Sequence, residues 1–266
     1  MIKAIFFDID GTLRDFTEIG IRPGTYQAIA LARANHIRCF VATGRHLVEI
    51  QEEGLLGRLE FDGYVLLNGS LCLDDKLSCL YANPIPVSQI QAMLALHKEL
   101  GFPLLFMEKD AIYVSHITPQ LERLQAGIGT ALPPVEPHME RGLIHPVYQM
   151  VPFSDDLPPD LLAARLPLCD ITCWHETGAC DITTKGGSKQ LGIQKVIAHY
   201  GYSREEIAAI GDGYNDIPMI RYAGIGIAMG NGKEAVRAAA DYVTDSIERD
   251  GLLHAVEYLL SISGNP

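Results

Sequence analysis

Positive charge is scarce in this chain. Lys and Arg number 21 against 33 Asp and Glu, a net charge of −12. A surface of that sign repels a polyanion, so nucleic acid is not an expected partner. A small anionic ligand is not excluded, because a local site can be positive or hold a metal. No run approaches the ~20 apolar residues that a membrane span needs, so no membrane partner is expected. Among the six cysteines there is no C-x-x-C pair. Cys169, Cys173, Cys180 and His175 lie close in sequence, but their spacing fits no common zinc site. Small apolar strand residues are the preferred reading of those cysteines. There is no repeat of fixed period and no long disordered tract. The N-terminus enters a strand almost at once, which argues against a signal peptide and for a cytoplasmic protein.

What is present is apolar bulk, 48% of 266 residues, enough to bury a sizeable core in one large or two ordinary domains. The stretch that organises it is Ile2 to Leu13. It begins as an Ile- and Phe-rich run, the pattern of a strand buried on both faces. It ends in Asp8-Ile9-Asp10-Gly11-Thr12. A buried carboxylate is costly unless paired, hydrogen-bonded or metal-bound, and ligands bind at the carboxyl ends of strands in open parallel sheets. Asp8 is thus placed like a nucleophile or metal ligand and Asp10 like its partner. The bland alternative is a pair of turn residues closing a strand.

A helix opens at Pro23-Gly24-Thr25. A second strand, Ile37 to Val41, ends in Ala42-Thr43-Gly44-Arg45 before another helix. A hydroxyl, an unobstructed backbone and a helix start suit an anion, although Thr43 could be an ordinary N-cap. Arg45 could reach a phosphate or lie on the surface. A third strand ends at Asn68-Gly69. This strand–helix alternation gives a parallel sheet with right-handed crossovers. The pattern then changes to hairpins mixed with helices, which marks an α+β module. Alternation returns at Lys185-Gly186-Gly187-Ser188-Lys189, where Ser188 caps a helix. Lys189 in its first turn opposes the helix dipole, which makes sense if it faces an anionic centre; an exposed lysine is the alternative. Ile207 to Ile210 forms a short buried strand ending in Gly211-Asp212-Gly213-Tyr214-Asn215-Asp216, again clustered acidic and amide groups bordered by glycine. The expected architecture is α/β: a Rossmann-like parallel-sheet core made from residues 1–82 and 185–266, with an inserted α+β cap at 83–184.

The motifs D-I-D-G-T, A-T-G-R, S-K and G-D-G-Y-N-D, in that order, resemble those of the haloacid dehalogenase-like (HAD) hydrolase superfamily. The chain is most similar to its Cof-type phosphatase branch, which shares an inserted α+β cap. The stretch Ala228-Met229-Gly230-Asn231-Gly232 and the segment Ala240-Asp241-Tyr242-Val243 also resemble that branch. The likeness covers roughly the first 80 and last 80 residues; in the cap it rests on position and hairpin pattern. Arg14, where the family tends to be apolar, and Tyr214, where polar residues are frequent, depart from it, and the cap is short. These departures bear on substrate rather than chemistry.

The resemblance implies two-step phosphoryl transfer through an aspartyl-phosphate. Asp8 would be the nucleophile, and Asp10 the acid that protonates the departing alkoxide and then the base that activates water. Mg²⁺ would be bound by Asp8, the backbone carbonyl of Asp10 and Asp212. Asp216 would hold metal-bound water or orient Lys189. Thr43, the backbone of Gly44, Lys189 and Asn215 would bind phosphoryl oxygens. The implied partner is a small phosphomonoester, a phosphorylated sugar or similar metabolite, and the protein is expected to be a monomer or homodimer. The cap would exclude water and choose the leaving group, with His116, His145, His175, Glu108 and Tyr148 as candidate contacts. Two alternatives are a phosphomutase, which would return the phosphoryl group to substrate, and a receiver-like phospho-aspartate switch. Asp10 and the inserted module count against the switch.

Overall fold

The opening apolar run forms β1 (Ala4–Phe7), a strand with every residue buried. The structure, a computed structural model, describes residues 1–15, 20–128, 130–174 and 178–262. Two compact units emerge. One comprises residues 1–45, 54–81 and 188–266, the other residues 46–53 and 82–187.

In chain order after β1 come α1 (Pro23–Ala34), β2 (Arg38–Ala42), α2 (Leu47–Glu52), β3 (Gly63–Leu66), β4 (Leu71–Asp74) and β5 (Cys79–Ala82). The inserted segment supplies α3 (Val87–Leu100), β6 (Leu104–Met107), β7 (Ile112–Val114), α4 (Pro119–Ile128), β8 (Gln149–Pro152), α5 (Pro159–Arg165), β9 (Cys169–Cys173) and β10 (Cys180–Thr184). The chain ends with α6 (Lys189–Tyr200), β11 (Ile207–Gly211), α7 (Ile217–Tyr222), β12 (Ile225–Ala228), α8 (Glu234–Arg237), β13 (Tyr242–Val243) and α9 (Gly251–Ile262).

The first unit is built on an eight-stranded sheet in the order β13-β12-β11-β1-β2-β3-β4-β5. From β13 to β3 the neighbours are parallel; β3 and β4 are antiparallel. The fold class is therefore α/β, with β1 at the centre. Phe6 and Phe40 stack with ring centroids 4.9 Å apart, and both are fully buried. Each contributes about 1.5–3 kcal/mol through burial. Phe7 pairs in register with Val41 on one side and Ile210 on the other. Parallel pairing thus sets Asp8, Ala42 and Gly211 level at one edge of the sheet. The loops that follow carry the candidate residues.

Local signals place α6. Ser188 Oγ accepts the Leu191 N–H at 3.2 Å, and Gly201 ends the helix in the left-handed conformation with φ 70°. Lys189 is its first residue.

The second unit holds a five-stranded antiparallel sheet, β7-β6-β8-β10-β9. Its core gathers Met93, Leu104, Phe106, Met150, Leu162 and Ile182. At the ends of the insertion, Thr184 Oγ1 donates to Asn83 O at 3.3 Å. Helix α2 groups with this unit. His46 Nε2 lies 2.6 Å from Glu108 O, and Glu53 Oε1 accepts the Ala131 N–H at 2.8 Å. Cys173 and Cys180, opposite each other on β9 and β10, form a disulfide, and Cys169 is a buried free thiol. His175 lies outside the described residues. No helix among the described residues is long and apolar enough to cross a membrane.

Candidate active site

The loop after β1 is held by three fixed points. Asp8 N donates to Ile210 O at 3.0 Å. Thr12, fully buried, donates through Oγ1 to Asp212 Oδ1 at 2.8 Å. Gly11 O accepts from Asn231 Nδ2 at 2.8 Å, and Asn231 Oδ1 accepts the Ile247 N–H at 3.0 Å. Gly11 has φ +82°, and a Cβ there would come within 2.2 Å of Asp212 Oδ2. Both backbone and space therefore require glycine.

Lys189 is the hub. Its side chain is wholly buried, and Nζ donates to Asp8 Oδ1 at 2.7 Å and to Asp216 Oδ1 at 2.6 Å. The other oxygen of Asp216 accepts the N–H groups of Asp212 at 3.0 Å and Gly213 at 2.8 Å. Asp216 thus orients both the lysine and the loop. The start of α6 reaches this position because Gly69, at φ +91°, lets it approach; a Cβ there would meet Ser188 O at 2.0 Å. Leu67 and Asn68 also adopt positive φ, 51° and 52°, so this turn holds two strained non-glycine residues side by side.

Carboxylate oxygens of Asp8, Asp212 and Asp216 all lie within 4.8 Å of one another. Burial first, and then the neighbouring Asp216 charge, push the Asp8 carboxyl well above its ordinary range, against the pull of Lys189. The same two causes push Asp212 up to about 7. Burial alone would lower the Lys189 pKa, but Asp216 and Asp8 outweigh it and hold the ammonium charged. With all three carboxyls ionised around one ammonium, two negative charges would stand uncompensated in a buried place, which is why Asp8 and Asp212 resist ionising here. An all-oxygen donor set with that excess suits a hard divalent cation, so the residues fit Mg²⁺.

Thr43 is buried at the end of β2, and its Oγ1 accepts the Arg45 N–H at 3.1 Å, leaving the hydroxyl proton to donate elsewhere. A Cβ on Gly44 would lie 3.3 Å from the Asn68 amide, and Asn215 Nδ2 donates to Asn68 Oδ1 at 3.1 Å. Asn68 therefore joins the Thr43-Gly44 turn to the Asn215 loop. Arg45 neither lies on the surface nor points free. It is buried and forks onto Asp10, Nε to Oδ2 at 2.7 Å and Nη2 to Oδ1 at 3.1 Å. Arg14 Nε stands 3.8 Å from Asp10 Oδ1. The bidentate contact fixes the orientation of the Asp10 carboxyl group.

The structure thus joins Asp8, Lys189, Asp212 and Asp216 directly, and Thr43, Gly44 and Asn215 through Asn68. Sequence reasoning missed Asn68 and Asn231 as structural ties and left Arg45 open. The only signal for Asn231 was its place between Gly230 and Gly232. Among the candidates in the second unit, Glu108, His145 and Tyr148 line one hollow of about 350 Å³ with Lys109, Asp110 and Arg141. His116 lies away from that group, with Nδ1 3.0 Å from Ser115 Oγ, and His175 lies outside the described residues.

Residues 5–256 match the family of haloacid dehalogenase-like hydrolases. YkrA of Bacillus subtilis (strain 168), which bears a phosphatase name, is 33% identical over 261 residues, covering 97% of each chain. A Streptococcus pyogenes (serotype M6) protein, whose name pairs phosphatase with peptidyl-prolyl cis-trans isomerase, is 33% identical over 264 residues. That match takes in 97% of this chain and 54% of the streptococcal protein, so the chain spans about half of that relative's length. Among solved structures, that of the HAD subclass IIB sugar phosphatase BT4131 superposes with a TM-score of 0.82 at 36% identity, covering 97% of this chain and 98% of that one. Extending over nearly the whole length and through both units, this similarity shows that the chain belongs to the haloacid dehalogenase-like hydrolases, as a phosphatase of the Cof-type branch.

Proposed function

We propose that this phosphatase is Mg²⁺-dependent and hydrolyses small phosphorylated metabolites, sugar phosphates or similar compounds, through an aspartyl-phosphate on Asp8. The observation that carries the reading is the Asp8–Lys189–Asp216 bridge beside Asp212. The likeness to a sugar phosphatase supports the substrate class. The net charge of −12 supports a small phosphomonoester over nucleic acid as partner.

In the first step an Asp8 oxygen attacks the phosphorus in line, and the ester bond to the leaving oxygen breaks. Lys189, bonded to Asp8, keeps the nucleophile oriented and offsets charge as the phosphoryl group arrives. Thr43, the Gly44 backbone and Asn215 bind phosphoryl oxygens. Mg²⁺, held by Asp8, the Asp10 carbonyl and Asp212, would supply the charge neutralisation that lets a phosphate dianion approach an anionic nucleophile. Asp10 gives its proton to the leaving alkoxide. In the second step it takes a proton from water, whose oxygen attacks the phosphorus; the bond from phosphorus to Asp8 breaks, which frees inorganic phosphate and restores the Asp8 carboxylate. The fork from Arg45 holds the Asp10 carboxyl group in place for both transfers.

The test is release of inorganic phosphate from a panel of phosphorylated metabolites, with Mg²⁺ and after EDTA treatment. Release that needs Mg²⁺ supports the reading; full rates in EDTA contradict it. Return of the phosphoryl group to substrate, without phosphate release, would mark a mutase.

A further inference from the structure

Asn231 is an exposed residue, yet both ends of its amide are committed. Nδ2 donates to Gly11 O at 2.8 Å, and Oδ1 accepts the Ile247 N–H at 3.0 Å. A bond given to a carbonyl and a bond taken from an N–H fix which way the amide points. The loop that carries Asn231 lies against the second acidic loop. Met229 N donates to Gly211 O at 3.0 Å, and a Cβ on Gly232 would stand 3.2 Å from Asp212 O. Residues 229–232 therefore rest on the Asp212 loop while Asn231 reaches across to the Asp8–Thr12 loop.

Gly11 is where that reach matters. Its φ of +82° and the closeness of Asp212 require glycine, and glycine is the most freely rotating link in a chain. Before it stands the Asp10 carbonyl, in the Asp10–Gly11 peptide. After it stands Thr12, whose hydroxyl holds Asp212 Oδ1. The first peptide is pinned by Gly11 N, which donates to Arg14 O at 2.8 Å. The second is pinned through its oxygen by Asn231. Rotation at Gly11 would shift the Asp10 carbonyl relative to Thr12, and so relative to Asp212. These are two of the three groups assigned above to Mg²⁺.

We propose that Asn231 is a positioning residue for the metal: by holding the Gly11 carbonyl it keeps the Asp10 carbonyl and Asp212 at the separation that Mg²⁺ requires. The inference rests on the Mg²⁺ reading and deepens it. Asn231 acts through Gly11 and Thr12, not by ligation. Mg²⁺ demands near-ideal octahedral geometry, so a ligand set allowed to drift binds it less well. Residues that orient metal ligands typically change metal affinity about 10–100-fold when lost.

The experiment titrates Mg²⁺ into EDTA-treated, dialysed protein by isothermal titration calorimetry, without substrate. It compares wild type, Asn231→Leu, Thr12→Val and the double variant. Leucine keeps the bulk of asparagine and adds no charge near the site. The Mg²⁺ dissociation constant should rise about 10–100-fold in Asn231→Leu. Because the two residues act along one path, the double variant should lose less than the product of the two single losses. Saturating Mg²⁺ should restore most of kcat for p-nitrophenyl phosphate in Asn231→Leu, with KM near that of wild type. Asn231→Ala provides a smaller variant should the leucine protein fail to fold. Unchanged Mg²⁺ affinity in the folded variants overturns the inference, even if Tm falls, because Asn231 would then only stabilise the fold. Fully independent losses in the double variant overturn it as well. Those results leave the Mg²⁺ reading standing, since wild type binds the ion. Wild type that binds no Mg²⁺ would defeat both.

Discussion

In the sheet unit, Asp8, Asp212 and Asp216 crowd around the single ammonium of Lys189. In the inserted unit, Glu108 is also buried, but its surroundings answer it fully. Arg141 forks onto both its oxygens at 2.9 and 2.8 Å, and Tyr113 donates its hydroxyl to Oε1 at 2.8 Å. Arg141 also lies over the Tyr113 ring, 5.3 Å from the centroid. The titration shifts have opposite signs. Burial alone would raise Glu108, but the bonds from Arg141 and Tyr113 outweigh it and hold the carboxyl below its usual range. Asp212, without such an answer, is pushed up to about 7. A buried carboxylate with its counter-charge in place is a structural element. A buried cluster short of counter-charge is incomplete as a protein structure and calls for a ligand.

The largest expected effect breaks the first half of that comparison. Asp8→Asn should reduce turnover of every phosphomonoester to background, because an amide cannot form the aspartyl-phosphate. A steady-state assay on three unrelated phosphomonoesters checks this, and residual turnover above a few per cent on any of them would move the nucleophile elsewhere.

The second prediction concerns stability and its sign with pH. In the metal-free fold Asp212 holds a proton up to about pH 7, whereas in the unfolded chain it ionises near the ordinary ~4. Between those values the fold binds the extra proton, so stability falls as pH rises toward 7. Asp212→Asn removes that loss and retains an acceptor for Thr12. In EDTA at pH 7.5 the variant should be more stable than wild type by on the order of 1–2 kcal/mol, a few degrees in Tm. The advantage should shrink toward pH 4–5. Added Mg²⁺ should raise Tm in the wild type and much less in the variant. A variant less stable than wild type in EDTA at every pH would show that the cluster is not short of counter-charge.

The smallest effect comes from the balanced pair. Arg141→Ala leaves Glu108 buried with Tyr113 alone. Because the arginine is 42% exposed, the cost should be about 1 kcal/mol, roughly 2–4 °C. Glu108 is held low, so the pair's contribution is fully present above the ordinary carboxylate range and is lost as pH falls from there through the depressed value, the reverse of Asp212. Thermal melts at pH 4 and pH 7.5 separate the two: the variant's deficit against wild type should be largest at pH 7.5 and smaller at pH 4.

The sheet unit was largely legible in the sequence because its signals are local. Asp8 and Asp10, Thr43, Asp212 and Asp216 each follow an apolar strand in a turn that contains glycine, and Lys189 follows a helix cap. Parallel registry then sets those strand ends level. What was not legible depends on loops meeting across the sheet. Arg45 meets Asp10 over a separation of 35 residues, Asn215 meets Asn68 over 147, and Asn231 meets Gly11 over 220. No periodicity encodes such pairs. The grouping of α2 with the inserted unit is of the same kind, since it rests on His46 and Glu53 meeting residues far along the chain.

The central claim, that Asp8 carries the phosphoryl group and Asp10 moves the proton, is tested most directly by rapid-quench kinetics on Asp10→Asn. A sugar alkoxide leaves badly without a proton, whereas nitrophenolate leaves readily. General acid catalysis is typically worth ~10²–10⁴-fold. The first step should therefore slow by about that factor for a sugar phosphate and little for p-nitrophenyl phosphate, and without its base the phosphoryl-enzyme should persist. The account predicts a burst of nitrophenolate followed by slow turnover, with phosphate mapped by mass spectrometry to Asp8. Equal first-step losses on the two substrates, or phosphate on any residue other than Asp8, would contradict it.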